Sequence, residues 1–314
     1  MRMQKKHRVY YYVTYVGGKK KWIRLSDDYQ KALYKYADLE GNPQNTGLVR
    51  DTLDRYSVEI LPSLTRKTVG TRLYQLKKLK NVFGDMKLES VEPPHIQQYL
   101  DMREAKVSAN REIKLLSTIY RYAISWGLCK SNPCQGTFYH KESARNRYIT
   151  DSEMSEIRKH ADPMYQAIID LAYITGMRRG DILSLKLIDI DEDHGIYNQQ
   201  GKTGKRQLFT WTSGLHKVVA NAKRARKTRN LIYLFTNTHG QQITDTGFNS
   251  AWRRIRNRAG IDDVTFHDIR AKSLTDAKEI GGLDYAQALG GHANQGMTEQ
   301  YIKKRETEVV KPLK

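Results

Sequence analysis

Near its C-terminal end the chain carries T-F-H-D-I-R-A-K-S-L-T-D-A from Thr265, followed by A-L-G-G-H-A-N-Q-G-M-T-E-Q-Y-I-K-K. His267 and Arg270 lie one helical turn apart, and positions i and i+3 share a helix face, so both can address one target. Gly290-Gly291 lets the backbone bend just before His292, and Tyr301 follows nine residues later on another predicted helix. Two imidazoles, a guanidinium and a phenol brought together suit phosphate chemistry with a tyrosine nucleophile. A phosphodiester is already anionic and repels nucleophiles, and paired guanidinium donors relieve that charge as it grows in the transition state. Imidazoles add hydrogen bonds and can manage the tyrosine proton. The bland readings are packing for a tyrosine, since the chain has 20 of them, and metal ligation for the histidines. No cysteine or acidic cluster at ligand spacing completes a metal site, so none is expected.

Composition points the same way. A chain of 314 residues has room for two or three domains, and 39% apolar content supplies a core. The formal charge of +20 predicts a polyanionic partner, nucleic acid ahead of an acidic membrane surface. No apolar run is long enough to span a bilayer, and M-R-M-Q-K-K-H-R lacks the apolar centre of a signal peptide. Cys129 and Cys134 are the only cysteines, so no disulfide framework is expected, and a reducing cytoplasm is the default.

The elements that must position these residues read as follows. Residues 1–25 hold eight Lys or Arg and no acid. H-R-V-Y-Y-Y-V-T-Y and W-I-R-L-S read as strands around a G-G-K-K-K turn, followed by a helix with Ala32, Leu33, Tyr36 and Leu39. Arg8, Lys19, Lys20, Lys21 and Arg24 are candidate DNA contacts on this surface, against a reading of mere solvation. G-N-P-Q-N-T-G reads as a linker. Residues 48–138 read as a four-helix unit. Leu73, Leu76, Leu79 and Val82 line one helix face, and Ile113, Leu116, Ile119, Tyr120 and Ala123 another. Lys77, Lys78 and Arg111 are its candidate DNA-binding cations. After a polar linker, Thr150-Asp151-Ser152-Glu153 is a capping box. T-G-M-R-R-G-D breaks one helix at Thr175-Gly176 and restarts another at Asp181, which leaves Arg178 in a turn at a helix start. Residues 188–200 and 206–212 read as paired strands, and G-K-T-G-K forms a hairpin tip with Lys202 and Lys205. That tip lacks P-loop spacing. Two basic helices, 215–227 and 248–259, complete the segment.

T-G-M-R-R-G-D, G-K-T-G-K, H-D-I-R, L-G-G-H and a tyrosine nine residues on, in that order, resemble the tyrosine recombinases of the phage integrase family. The resemblance spans roughly 143–310. It extends to A-N-R-E-I-K-L-L through W-G-L-C-K-S-N-P, which looks like the end of the family's core-binding domain, and the basic start looks like its arm-type DNA-binding domain. The implied fold is multidomain and mainly α with a small β component. It comprises an N-terminal β-sheet-plus-helix arm-binding domain (1–42), a helical core-binding domain (48–138) and a mixed α+β catalytic domain (143–314). By the same resemblance Arg178, Lys202, His267, Arg270, His292 and the nucleophile Tyr301 are catalytic and Asp181 supports the site. Arg179 sits one place past the motif, and Lys205 is the alternative hairpin lysine. The chain departs from the family at L-G-G-H, where L-G-H is usual, and at Ala271-Lys272-Ser273, where an aromatic-bearing run is common.

The implied reaction is DNA strand cleavage through a 3′-phosphotyrosyl intermediate. The linkage stores the phosphoester energy, so neither ATP nor a metal cofactor is implied. The implied function is site-specific integration, with excision, of a phage or other mobile element. The implied partners are double-stranded DNA with core-type and arm-type sites, a homotetramer on DNA, a DNA-bending host factor and an excision factor. A type IB topoisomerase and a housekeeping Xer-like recombinase share the chemistry, but neither calls for the basic N-terminal segment. A DNA-binding protein with a decayed site fits the complete constellation poorly. The tail after Tyr301, with Val309-Val310 as a short strand, is expected by analogy to pack on a neighbouring subunit.

Overall fold

The computed structural model describes residues 3–16, 19–29, 31–32, 35–36, 47–143, 147–227 and 232–302, in two compact units, Met1–Ser143 and Ala144–Lys314. Leu33, Leu39, the Gly17-Gly18 turn, most of the 41–47 linker and the tail with Val309-Val310 lie outside the described residues.

In the first unit, three strands form an antiparallel sheet in the order β1 (Met3–Lys6), β2 (Val9–Val16), β3 (Lys19–Ser26). The sequence predicts two strands. The third arises because the chain reverses at His7 and Arg8, both at positive φ (45° and 69°), so Arg8 sits in a turn and Met3 pairs with Tyr12. Tyr12 and Leu25 bury against Ala32 of the following helical segment, with Tyr36 packed beside them. Lys19, Lys20, Lys21 and Arg24 stay exposed, and the Lys6 and Lys20 ammonium groups lie 5.8 and 4.7 Å from the Trp22 ring centroid.

Helices α1 (Val49–Glu59), α2 (Arg66–Phe83), α3 (Pro93–Met102) and α4 (Lys106–Ser125) enclose Leu53, Leu79, Ile96, Leu100, Ile113, Leu116 and Ile119. Thr65 caps α2, and Pro93 opens α3 where a missing N–H costs nothing. Val82 departs from the predicted apolar face: it is 54% exposed, and Phe83 takes the buried place one residue later. Glu112 is buried on α4, where Tyr99 donates to it at 2.6 Å and Arg103 through two nitrogens at 3.2 Å, so its charge is paired as burial requires. Lys77 and Arg111 are exposed and Lys78 half-buried.

The second unit begins with α5 (Asp151–Lys159), closed by the predicted Thr150–Glu153 capping box. α6 (Pro163–Thr175), α7 (Arg179–Ser184), a sheet of β4 (Ile190–Asp191), β5 (Gly195–Gln199) and β6 (Arg206–Thr210), and helices α8 (Ser213–Ala225) and α9 (Asp245–Ala259) follow. The predicted single strand over 188–200 is broken. Residues 187–189 form a 3₁₀ turn, and Asp191 Oδ1 accepts the backbone N–H groups of Asp193 and His194, turning the chain between β4 and β5. α6, buried on most sides through Ile168, Ile169 and Leu171, packs with Phe235, Phe248, Trp252 and Ile269. α10 (Phe266–Gly290) and α11 (Gln295–Ile302) close the unit. α10 is interrupted at Gly282, whose φ of 78° and ψ of −177° only glycine adopts readily.

One buried network ties the start of this unit to α10. Lys272, 2% exposed, donates to Asp151 (2.7 Å), Asp276 (3.0 Å) and the Tyr148 hydroxyl (2.9 Å). Tyr148 and Tyr173 donate to the two oxygens of Asp276 at 2.8 and 2.7 Å. Burial alone would pull the Lys272 ammonium down, but the hydrogen bonds to Asp151, Tyr148 and Asp276 outweigh it and hold the lysine charged, above its ordinary range. Burial pushes Tyr173 up to about 12, so its phenol stays a donor. Lys272→Met would leave the part-buried Asp276 carboxylate without its cation, which costs about 1–3 kcal/mol. Urea unfolding should show that loss; a change under about 1 kcal/mol would mean the network contributes little.

Candidate active site

The site assembles where two helices end. α6 stops at Gly176 (φ 61°), and α10 stops at Gly291 (φ 60°) just before His292. Terminal carbonyls of a helix lack intrahelical donors and carry partial negative charge. Arg270, 2% exposed, answers both ends: Nη1 donates to the Gly176 carbonyl, and Nη2 donates to the Gly290 carbonyl (2.6 Å) and to His292 Nε2 (2.9 Å). Nε is buried with no hydrogen-bond partner among the described residues. Burial, and secondarily the nearby Arg178 cation, pull the Arg270 guanidinium below its ordinary range, yet a guanidinium stays charged in proteins.

Because the guanidinium can only donate, His292 Nε2 accepts. Its other nitrogen, Nδ1, therefore carries the proton and donates to Thr298 Oγ1 at 2.9 Å. Burial first, then the charges of Arg270, Arg178 and Lys205, drive His292 down to about 4, so the ring is neutral at pH 7. Both nitrogens are thus engaged, and the ring stacks on Tyr301 with centroids 5.4 Å apart and planes at 15°. The sequence assigns handling of the tyrosine proton to both histidines; of the two, His267 has its Nε2 2.9 Å from the Tyr301 hydroxyl, at the exposed edge of the site. The Arg270 guanidinium carbon stands 5.9 Å from the Tyr301 ring centroid.

Arg178 is the residue just before α7, half-buried, as the helix break predicts. Its Nη1 donates to Gln200 Oε1. Arg179 points elsewhere, to Asn249 and Asp245 at 2.6 and 2.8 Å. Asp181 does not form the Arg178 ion pair that their spacing allows. Its Oδ1 accepts the Gly201 N–H at 2.9 Å and so fixes the base of the hairpin tip, while Oδ2 is buried without a hydrogen-bond partner among the described residues. Lys202 and Lys205 are both exposed at the tip. Lys205 reaches the His292 carbonyl at 3.3 Å, whereas Lys202 has no such anchor in the described structure.

The arrangement therefore gathers Arg270, His292, His267 and Tyr301 directly, and brings Arg178 to the same cluster through Gln200. Gln200 and Gln207 were not singled out by the sequence reading. Gln207 donates to the Ala288 and Leu289 carbonyls at 2.8 and 3.2 Å, and a side chain at Gly291 would collide with both glutamines. The doubled glycine of L-G-G-H was the available signal: a second glycine beside a histidine implies something packed against the backbone there.

A neutral buried histidine makes stability depend on pH. The unfolded chain binds a proton near the ordinary value of 6.5, but the folded ring does so only at about 4. The unfolded state thus holds more protons between these values, and stability falls as pH drops from about 6.5 to about 4, by up to about 3 kcal/mol. Urea unfolding of the unmutated protein and of His292→Gln across that window should show a slope that the variant lacks. Parallel curves would mean that His292 titrates normally.

Comparison with known proteins bears on the family and the fold. The sequence profile of the phage integrase family matches residues 147–308, more than half of the chain. A shufflon-specific DNA recombinase of Escherichia coli is 28% identical over 248 residues, and the match covers 72% of this chain but only 61% of that relative's length. The integrase of Escherichia phage lambda is 25% identical over 276 residues, covering 83% of this chain and 77% of its own. Among solved structures, a lambda integrase tetramer bound to a Holliday junction superimposes with a TM-score of 0.73 at 22% identity, covering 99% of this chain and 97% of that one. That likeness establishes the mainly helical fold with its small sheets. With the profile match, the ordered motifs and the clustered site agreeing, the chain belongs to the phage integrase family.

Proposed function

We propose that the chain is a site-specific DNA recombinase, an integrase that cuts and rejoins strands through a 3′-phosphotyrosyl intermediate with Tyr301 as nucleophile. The observation that carries this is the 2.9 Å approach of His267 Nε2 to the Tyr301 hydroxyl, with Arg270 and His292 against the same ring. The scissile phosphate is held by Arg178 and Arg270. Arg270 Nε–H, without a hydrogen-bond partner among the described residues, is one donor for a non-bridging oxygen. His267 takes the Tyr301 proton as the phenolic oxygen bonds to phosphorus, and the bond from phosphorus to the 5′ oxygen breaks. Lys202 supplies the proton to that departing oxygen; Lys205, tethered to the His292 carbonyl, secures the hairpin. Asp181 supports the site by holding Gly201. Attack by a 5′-hydroxyl from another duplex reverses the step and exchanges strands. The phosphotyrosine conserves the bond energy, so neither ATP nor a metal is required.

The DNA surface divides by domain: 1–42 for arm-type sites, 48–138 for core-type sites, 143–314 for catalysis. Exposed Arg8, Lys19, Lys20, Lys21 and Arg24, with Tyr15 at 68% exposure beside them, support the first. Lys77, Lys78 and Arg111 serve the second. The assembly on DNA is a homotetramer, by analogy with the lambda integrase tetramer. A DNA-bending host factor and an excision factor assist it, and the setting is the bacterial cytoplasm. The basic three-stranded sheet favours integrase over a housekeeping Xer-like role.

Incubation with a nicked suicide substrate from the flanking attachment DNA, in EDTA, should trap a covalent adduct. Tyr301→Phe should bind the same DNA but give none. Absence of adduct from the unmutated protein would contradict the enzyme reading, and adduct from Tyr301→Phe would move the nucleophile to another tyrosine.

A further inference from the structure

The geometry points to Gln200 as a positioning residue that holds the Arg178 guanidinium and couples it to the backbone clasped by Arg270. Gln200 is 2% exposed and lies at the base of the hairpin tip, where its own N–H donates to the Lys205 carbonyl at 2.9 Å. Its side-chain amide is saturated. Oε1 accepts from Arg178 Nη1 and from Thr203 Oγ1 (2.7 Å); Nε2 donates to Gln207 Oε1 (2.6 Å) and to the Gly290 carbonyl (3.2 Å). An amide has two acceptor sites and two donor hydrogens, so nothing is left over. The network also fixes the orientation. A flipped amide would set its NH₂ against the Arg178 donor and its oxygen against the Gly290 carbonyl.

The Gly290 carbonyl also accepts from Arg270. A single chain of contacts therefore runs from Arg178 through Gln200 and Gly290 to Arg270 and His292. Gln207 braces it by reaching the Ala288 and Leu289 carbonyls. Arg178 reaches this cluster from a turn far upstream in sequence. Among its described hydrogen bonds, the one to Gln200 is what ties it to the hairpin. Displacement of a charge-stabilising group by about 1 Å can cost on the order of a hundredfold in rate, so freeing Arg178 should slow cleavage without touching the nucleophile.

The inference rests on the recombinase reading, and its test separates the two. Gln200→Met keeps the side-chain length and removes all four hydrogen bonds. At a temperature where the variant is fully folded, the expected result is a single-turnover cleavage rate roughly 10- to 100-fold lower, with DNA affinity near that of the unmutated protein. In DNA-free protein, NMR of the Arg178 guanidinium should show faster hydrogen exchange in Gln200→Met. A cleavage rate within about twofold of the unmutated protein would overturn the inference, as would a slower rate matched by lost affinity, or unchanged Arg178 exchange. If the unmutated protein itself forms no adduct, the recombinase reading fails, and the exchange measurement still decides whether Gln200 holds Arg178.

Discussion

The structure of the second unit turns on one buried cation. The Arg270 guanidinium sits between the carbonyls of Gly176 and Gly290, which end two helices far apart in sequence. Taking a guanidinium out of water costs several kcal/mol unless hydrogen bonds and opposing partial charge replace its hydration. Helix-terminal carbonyls supply both. Satisfying them fixes the two turns, and each turn leads into a site residue: Gly176 into Arg178, and Gly290-Gly291 into His292. The same guanidinium thus shapes the site and lends it positive charge.

The two histidines have different surroundings. His292 is neutral, donates to Thr298 and accepts from Arg270, so it acts as a wall against which Tyr301 stacks. His267 lies at the exposed edge with a ring nitrogen on the tyrosine hydroxyl. Two imidazoles equivalent in the sequence are set apart by burial: one has both ring nitrogens engaged inside the unit, and the other lies exposed beside the Tyr301 hydroxyl. The hairpin lysines divide similarly, Lys205 held at the His292 carbonyl and Lys202 exposed.

Much of this was legible in the sequence because it depends on local rules. The Thr150–Glu153 box, the break at Thr175-Gly176 and the helix restart after Arg178 follow from capping and glycine conformation. The spacing of His267, Arg270, His292 and Tyr301 pointed to one site. What escaped depends on contacts between distant segments. Lys272 stood out in the sequence only as part of a departure from the family pattern, whereas in the fold it is buried, with Asp151, Tyr148 and Asp276 converging on it from separate segments. Gln200 has no local signature; its meaning comes from Arg178, Gln207 and Gly290 together. The third N-terminal strand was missed because His7 and Arg8 take positive φ, which their residue types do not advertise. The kink at Gly282 follows the same glycine rule.

The central claim is that Tyr301 is the atom-bearing nucleophile of a site built around Arg270. It is tested most directly by digesting the trapped protein–DNA adduct with nuclease and protease and locating the residual nucleotide by fragmentation mass spectrometry. A nucleotide joined through its 3′ phosphate to Tyr301, and not to Tyr285 in the same stretch, is the expected result. A nucleotide on any other residue, or a 5′-linked one, would contradict it.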